Sequence, residues 1–289
     1  HEFAVMPQRS LRRLLSTCLG VGFWLMMVLL TASPAQTTGA LPGLPKASAT
    51  TIEPHEWALF AARFVTPDGR VVDVENGGIS HSESQSYGMF LALQAGDRHT
   101  FDSILAFTFS RMRGRGDNLV SWRYDPRATE PITDRNNASD GDILIAYALV
   151  GAAARWDEPR YLALARPMIR DIGRELLDRR DGMVLLRPGA FGFDAGAHVD
   201  GPVVNLSYYV YGALLAFAAV DDRYPFFEAW QSGLMLTEEA LSRSGGHAPD
   251  WITMREGRRA RAARGFATKS SYDAVRIPLF MTLGGRVPV

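Results

Sequence analysis

A short polar cluster runs directly into a long apolar segment in Ala138-Ser139-Asp140-Gly141-Asp142-Ile143-Leu144-Ile145-Ala146-Tyr147-Ala148-Leu149. Apolar residues continue at helical spacing, so the stretch predicts a helix over residues 141–156. Ser139 and Asp142 stand three residues apart at its start, the spacing of a capping box. The stretch therefore predicts a helix that begins with two carboxylates.

The same helical pattern recurs on both sides of this stretch. It predicts seven further helices, over residues 56–65, 84–95, 99–112, 159–179, 206–220, 224–243 and 272–283. Strand signals are few: Val184-Leu185-Leu186 and Trp251-Ile252-Thr253 are expected as short strands in long loops. The chain is thus predicted to be an all-α array of eight helices that starts near Pro54.

Each even-numbered helix of this array begins with a polar cluster. These clusters contain Glu83, Asp140, Asn205 and Asp273, in chain order. If consecutive helices form antiparallel hairpins, all even-numbered helices run in one direction and present their N-termini to one face. That face would collect three carboxylates. For any one cluster, however, N-capping is a sufficient explanation.

Aromatic side chains accumulate near these same loops and helix starts. Flat rings beside carboxylates are what a sugar-stacking groove needs, although any one ring alone fits the core better. The set comprises Tyr87, Trp122, Tyr124, Tyr208, Tyr209, Trp251 and Tyr272. Rings and carboxylates together favour a carbohydrate site over simple capping.

Residues 138–156 resemble the signature of glycoside hydrolase family 8 at every constrained position. Three more segments are similar in order and spacing: residues 81–89 resemble the proton-donor segment, 205–209 a substrate-contact segment, and 272–276 the base segment. Val71-Val72-Asp73, residues 76–78 and Asn136-Asn137 resemble the endoglucanases encoded beside bacterial cellulose synthase. The resemblance covers about residues 54–283.

The family resemblance implies an (α/α)6 barrel of twelve helices. Only eight are predicted here, and the chain ends 16 residues after Asp273, so we expect a barrel that is incomplete at its C-terminus. A second departure is Ser84, which stands where the family usually has glycine beside the proton donor.

The resemblance also implies inverting hydrolysis of a β-1,4-glucan such as cellulose. It assigns Glu83 as proton donor, Asp273 as base, and Asp140 as the residue that supports the Glu83 proton and bonds the sugar. In an inverting enzyme, acid and base stand roughly 6.5 to 9.5 Å apart so that water fits between them. Arg276 lies one helical turn after Asp273 and is expected to pair with it. The other substrate-binding candidates are Tyr87, Trp122, Arg123, Asn205, Tyr209, Trp251 and Tyr272, while Asp142 is expected to be a cap or a support.

Composition limits the partners and the location of the protein. Lys plus Arg equal Asp plus Glu at 31 each, which gives no electrostatic footprint for nucleic acid. Three arginines precede an apolar run over residues 14–32, followed by Ser33-Pro34-Ala35. This predicts a signal peptide over about residues 6–35, a flexible spacer over 36–53, and a catalytic domain over 54–289 in a secreted or periplasmic protein. The apolar run of 19 residues also fits an uncleaved anchor.

No cofactor or metal is predicted, because the six histidines show no H-E-x-x-H or similar ligand spacing. The expected partner is a β-1,4-glucan chain, and the cellulose synthase complex is a further expected partner. Two alternatives stay open at this point. One is a glucan-binding or assembly protein without hydrolysis, and the other is a hydrolase of xylan, chitosan or mixed-linkage glucan.

Overall fold

The computed structural model describes residues 52–198, 200–255, 259–266 and 268–284. These residues contain eight α-helices: α1 (Pro54–Phe64), α2 (Ser82–Ala95), α3 (Arg98–Arg111), α4 (Ser139–Arg155), α5 (Pro159–Leu176), α6 (Tyr211–Val220), α7 (Phe226–Arg243) and α8 (Arg276–Leu283). Each matches one predicted helix, so the all-α prediction is confirmed. The predicted signal peptide lies outside the described residues, and Ile52, assigned to the spacer, is buried in the core.

Helix α4 is the central element of the array. It packs against α2 on one side and α5 on the other, and it also contacts α6. Most of its residues are buried, including Asp140 and Asp142 in its first turn. A helix that is buried nearly all round must be apolar nearly all round, which explains the unbroken run from Ile143 to Leu149.

Three small antiparallel sheets lie among the helices. The first pairs β1 (Ser80–His81) with β2 (Arg123–Tyr124), and the second pairs β3 (Leu177–Arg180) with β4 (Met183–Leu186). The third has the order β5 (Val203–Asn205), β6 (Trp251–Arg255), β7 (Arg259–Ala262). Both strands predicted from the sequence are therefore confirmed, within β4 and β6.

The fifth helix is shorter than predicted because a hairpin follows it. The prediction ran to residue 179, whereas α5 ends at Leu176 and the chain continues into β3. Asp181 and Gly182 form the turn between β3 and β4, and both have positive φ angles, of 52° and 78°. An Asp-Gly pair is a strong signal for a two-residue hairpin turn.

Two helices begin at least four residues later in the chain than predicted. The helix predicted over 206–220 begins at Tyr211, after a 3₁₀ turn at Leu206–Tyr208. The helix predicted over 272–283 begins at Arg276, after a turn.

The predicted capping box at Ser139 and Asp142 is wrong. The Ser139 hydroxyl has no hydrogen-bond partner among the described residues. Asp142 instead accepts hydrogen bonds from the Val120 amide at 2.9 Å and from Asn137 Nδ2 at 2.8 Å. Asp142 is thus a buried support that joins the start of α4 to two loops, and burial raises the pKa of its carboxyl to about 7.

Close packing between α7 and the core makes one glycine difficult to replace. A Cβ on Gly233 would lie 2.8 Å from Cε1 of the Tyr209 ring and closer still to Cδ1. We expect Gly233→Ala to lower the free energy of unfolding by about 1–3 kcal/mol, because overpacking forces the fully buried ring to move. Urea titration measures this.

Gly151→Ala in α4 is the matched control for this prediction. Its Cβ would contact only the end of the Leu93 side chain, at 2.8 Å, and alanine favours a helix interior by up to about 1 kcal/mol. We expect Gly151→Ala to leave stability unchanged or slightly raised. Equal effects of the two substitutions would contradict the packing described for Tyr209.

No helix in the part of the chain that the structure describes is long and apolar enough to cross a membrane.

Candidate active site

One guanidinium joins three carboxylates from distant parts of the chain. Arg276 Nη1 donates to Asp140 Oδ2 at 2.9 Å and also to Glu83 Oε1, and Nη2 donates to Asp273 Oδ1 at 2.7 Å. The predicted pairing of Arg276 with Asp273 is confirmed, and so is the convergence of the three carboxylates on one face. We call these four residues the carboxylate cluster.

The three carboxylates differ in how far solvent reaches them. The side chains of Glu83 and Asp273 are 34% and 29% exposed, whereas that of Asp140 is only 1% exposed. Glu83 and Asp273 can therefore contact a substrate and a water molecule directly. Asp140 is placed to act through its neighbours.

Glu83 occupies the first turn of α2 and is oriented by a tyrosine on the next turn. The Tyr87 hydroxyl donates to Glu83 Oε1 at 2.8 Å, the same oxygen that accepts from Arg276. Because both bonds use Oε1, Oε2 is the oxygen that can carry a proton toward a substrate. The nearby Ser84 hydroxyl is used by the backbone of His81, accepting from its amide at 3.0 Å.

Asp140 lies at the start of α4 and is almost fully enclosed. Its Oδ1 accepts from the Gly141 amide at 2.9 Å, and its Oδ2 accepts from Arg276. Burial, followed by the nearby charge of Glu83, raises the pKa of Asp140 above its ordinary value, while Arg276 opposes the rise. Removal of the Arg276 guanidinium would therefore leave the buried Asp140 carboxylate without a compensating positive charge.

Asp273 lies in a turn before α8, and both of its oxygens accept hydrogen bonds. Oδ1 is bonded by Arg276, and Oδ2 accepts from Asn205 Nδ2 at 3.0 Å. Asn205 is fully buried at the end of β5, and its Oδ1 accepts from both the amide and the hydroxyl of Ser207. An ionised carboxylate has about four lone-pair sites, so Asp273 can still accept from a water molecule.

The structure contradicts Tyr209 as a sugar platform. Its ring is 0% exposed, and its hydroxyl accepts from the Leu186 amide at 2.9 Å, so it is a core residue. The preceding Tyr208 is the tyrosine at the site, with the Arg276 guanidinium 5.5 Å from its ring centroid. Burial raises the pKa of Tyr208, and the charges of Asp140 and Asp273 raise it further.

Trp251 belongs to an aromatic group beside the cluster. Its indole stacks on Phe266 at 4.8 Å and on Phe193 at 5.9 Å, and Tyr208 meets it edge-on at 6.0 Å. Phe193 and Phe266 are only 6.4 Å apart, so they do not sandwich the indole between them. Sequence reasoning missed both phenylalanines, because they come from irregular loops without a pattern.

The other predicted contact residues lie around the start of α2 and α8. The Ser82 amide donates to the Trp122 carbonyl at 2.9 Å, which fixes the backbone of Trp122 next to Glu83. Arg123 pairs with His81 in the β1–β2 ladder. Tyr272 precedes Asp273 and is 72% exposed. In the described ranges, no group of His, Cys, Asp or Glu is placed to hold a metal ion.

Comparison with known proteins gives one consistent family. Residues 25–286 match the family model described as glycosyl hydrolases family 8. An endoglucanase of Cellulomonas uda is 34% identical over 249 residues, which cover 85% of this chain and 66% of that protein. A probable endoglucanase of Novacetimonas hansenii is 38% identical over 229 residues, covering 78% of this chain and 66% of that protein.

Solved structures show the same likeness in three dimensions. An endo-β-1,4-glucanase from Acetobacter xylinum superposes with a TM-score of 0.74 at 36% identity, covering 78% of this chain and 70% of that one. A family 8 endoglucanase from Klebsiella pneumoniae gives a TM-score of 0.72 at 34% identity, covering 78% and 72%. These neighbours are (α/α)6 barrel enzymes, which confirms that part of the fold prediction. The chain spans about two thirds of the length of the curated relatives named above.

Proposed function

The chain belongs to the glycosyl hydrolases of family 8, and on that premise we propose that it is an endo-β-1,4-glucanase that cleaves with inversion. The single observation that carries the proposal is the carboxylate cluster, in which one guanidinium bonds two partly exposed carboxylates and one buried carboxylate. An inverting glycosidase needs an acid and a base on opposite sides of the bond that it breaks. Glu83 and Asp273 supply two such groups.

In the proposed reaction Glu83 acts as the acid. Its Oε2 gives a proton to the glycosidic oxygen as the bond to the anomeric carbon breaks. Its Oε1 stays bonded to Tyr87 and Arg276 during this step. The leaving sugar thus departs as a neutral alcohol.

Asp273 acts as the base. It takes a proton from a water molecule whose oxygen attacks the anomeric carbon from the face opposite the leaving group. Asn205 and Arg276 hold the two oxygens of Asp273 and so fix the direction in which the carboxylate faces the water. The product has the inverted configuration at its new reducing end.

Asp140 and Arg276 set the electrostatics of the step. With Glu83 protonated, two carboxylates and one guanidinium remain in the cluster, which leaves net negative charge when both carboxylates are ionised. The transition state of glycoside cleavage has oxocarbenium character, and fixed negative charge stabilises it. Tyr208 and Trp251 provide aromatic surface beside the cluster for a sugar ring.

The proposal is tested by the release of reducing ends from carboxymethyl cellulose, compared with xylan, chitosan and mixed-linkage glucan. We expect carboxymethyl cellulose to be cleaved, and Asp273→Asn to lose about 10²–10⁴-fold of the rate because it cannot act as a base. Faster cleavage of one of the other three polymers would show that this polymer, and not a β-1,4-glucan of the cellulose type, is the substrate. A folded chain that binds cellulose and cleaves none of the four would favour a glucan-binding protein.

We propose in addition that the protein is exported and acts alongside cellulose synthesis. The support is the apolar run over residues 14–32 before Ser33-Pro34-Ala35, and the likeness of residues 71–73 and 136–137 to endoglucanases of cellulose-synthesis operons. Cell fractionation of the producing bacterium should recover a chain that starts near Gln36 outside the inner membrane. Recovery of the unprocessed chain in the cytoplasm would contradict this.

A further inference from the structure

A buried carboxylate from a different element holds the turn that carries Asp273. Asp250 is 4% exposed, and its Oδ1 accepts from the Ser271 amide at 2.8 Å and from the Ala274 amide at 2.9 Å. Its Oδ2 accepts from the Ser271 hydroxyl. The two bonded amides lie on either side of Asp273 in the chain.

This support matters because Asp273 is not inside a helix. Helix α8 begins only at Arg276, and residues 272–275 form a turn. The Arg276 amide bonds the Asp273 carbonyl at 3.1 Å, which closes the turn from the C-terminal side. Asp250 ties the same turn to the body of the protein through its other backbone groups.

The sheet formed by β5 and β6 links Asp250 to the second support of Asp273. Asp250 directly precedes β6, and the first residue of β6, Trp251, pairs with Asn205 of β5. Asn205 bonds the Asp273 carboxylate itself at 3.0 Å. The same end of the β5–β6 ladder therefore supports Asp273 in two ways. Asn205 bonds the Asp273 carboxylate, and Asp250 bonds the backbone amides of Ser271 and Ala274 on either side of it.

We propose that Asp250 is a positioning residue that places the Asp273 carboxylate for reaction, acting through the backbone of residues 271–274. The inference rests on the proposed function, in which Asp273 is the base. A misplacement of a reacting group by about 1 Å can cost on the order of 10²-fold in rate. Asp250 itself touches neither substrate nor water in this role.

Three variants separate positioning from general stability. Asp250→Ala removes all three hydrogen bonds, whereas Asp250→Asn keeps an oxygen for the two amides and an amide group for the Ser271 hydroxyl. Asp200→Ala is the matched control, because Asp200 is also buried and its carboxylate also accepts from a backbone amide, that of Arg264 at 3.1 Å, which is not part of the turn over residues 271–274.

The first measurement is steady-state hydrolysis of cellohexaose. We expect Asp250→Ala to lower kcat by about 10²-fold and to change KM by less than about threefold. The reason is that a misplaced base slows the chemical step but leaves the substrate contacts intact. Asp250→Asn should regain most of the loss, and Asp200→Ala should keep the parent kcat. Equal kcat losses in Asp250→Ala and Asp200→Ala, or no rescue by asparagine, would overturn the proposal.

The second measurement is amide hydrogen exchange, which requires no substrate. We expect exchange in residues 271–274 to become faster in Asp250→Ala and to stay near the parent value in Asp250→Asn and Asp200→Ala. Unchanged exchange in Asp250→Ala would overturn the positioning role. If the parent cleaves no polymer but exchange changes as expected, the proposed function fails while the support of the Asp273 turn by Asp250 stands.

Discussion

Glu83→Gln is expected to reduce hydrolysis of cellohexaose by about 10³-fold while the fold is kept. Glutamine retains an oxygen that can accept from Tyr87 and Arg276, the partners of Glu83 Oε1, but its amide cannot serve as a general acid. Loss of general acid catalysis typically costs about 10²–10⁴-fold. Initial rates of reducing-end release measure the effect.

The leaving group distinguishes a lost acid from a damaged site. A 2,4-dinitrophenyl cello-oligosaccharide releases 2,4-dinitrophenolate, a leaving group that needs no protonation. The hydrolysis rate of Glu83→Gln on this substrate should therefore fall by less than about tenfold. Glu228→Gln is the control variant, because Glu228 also pairs with an arginine, Arg179, but on the surface. An equal loss on both substrates would show that Glu83 is not the acid.

Arg276→Met is expected to have the largest effect on stability as well as to abolish hydrolysis. The substitution removes the cation that three carboxylates share and leaves Asp140, which is 1% exposed, without compensation. Breaking a buried ion pair from one side costs about 3–5 kcal/mol of unfolding free energy. Denaturant titration at pH 7 measures this, and Arg179→Met, in an exposed pair, should change little.

The stability loss in Arg276→Met should depend on pH in one direction. Without the guanidinium, the pKa of Asp140 in the folded state rises further above its unfolded value near 3.8. The folded variant then holds the Asp140 proton above about pH 6, where the folded parent releases it, so the stability difference from the parent grows as pH rises through about 6 and shrinks as pH falls. A stability difference from the parent that stays constant between about pH 5 and 8 would contradict the shared-cation arrangement.

Local patterns in the sequence predicted the helices and the three carboxylates. Apolar spacing gave all eight helices in the described residues, and the polar clusters before α2, α4 and α8 marked Glu83, Asp140 and Asp273. These features are local, since a helix start needs polar residues and its buried face needs apolar ones. The hairpin after α5 was missed although its Asp181-Gly182 turn is also a local signal, because helical spacing appeared to continue to residue 179.

Features that depend on distant contacts could not be predicted in the same way. Tyr208 and Tyr209 are adjacent and chemically identical, and only the 3₁₀ turn at Leu206–Tyr208 decides which ring is buried. Asp250 is 21 residues from Ser271, and nothing in its neighbourhood indicates that it supports Asp273. The misassigned tyrosine and the missed support residue therefore share one cause, which is tertiary placement of side chains from loops.

The most direct test of the account is proton NMR of cellohexaose during the first minutes of digestion by the full chain. If Glu83 and Asp273 act as acid and base on opposite faces of the bond, the new reducing ends should appear first as the α-anomer and then equilibrate by mutarotation. Appearance of the β-anomer first would show retention and contradict the assigned roles. No cleavage by the folded chain would contradict the proposed hydrolysis itself.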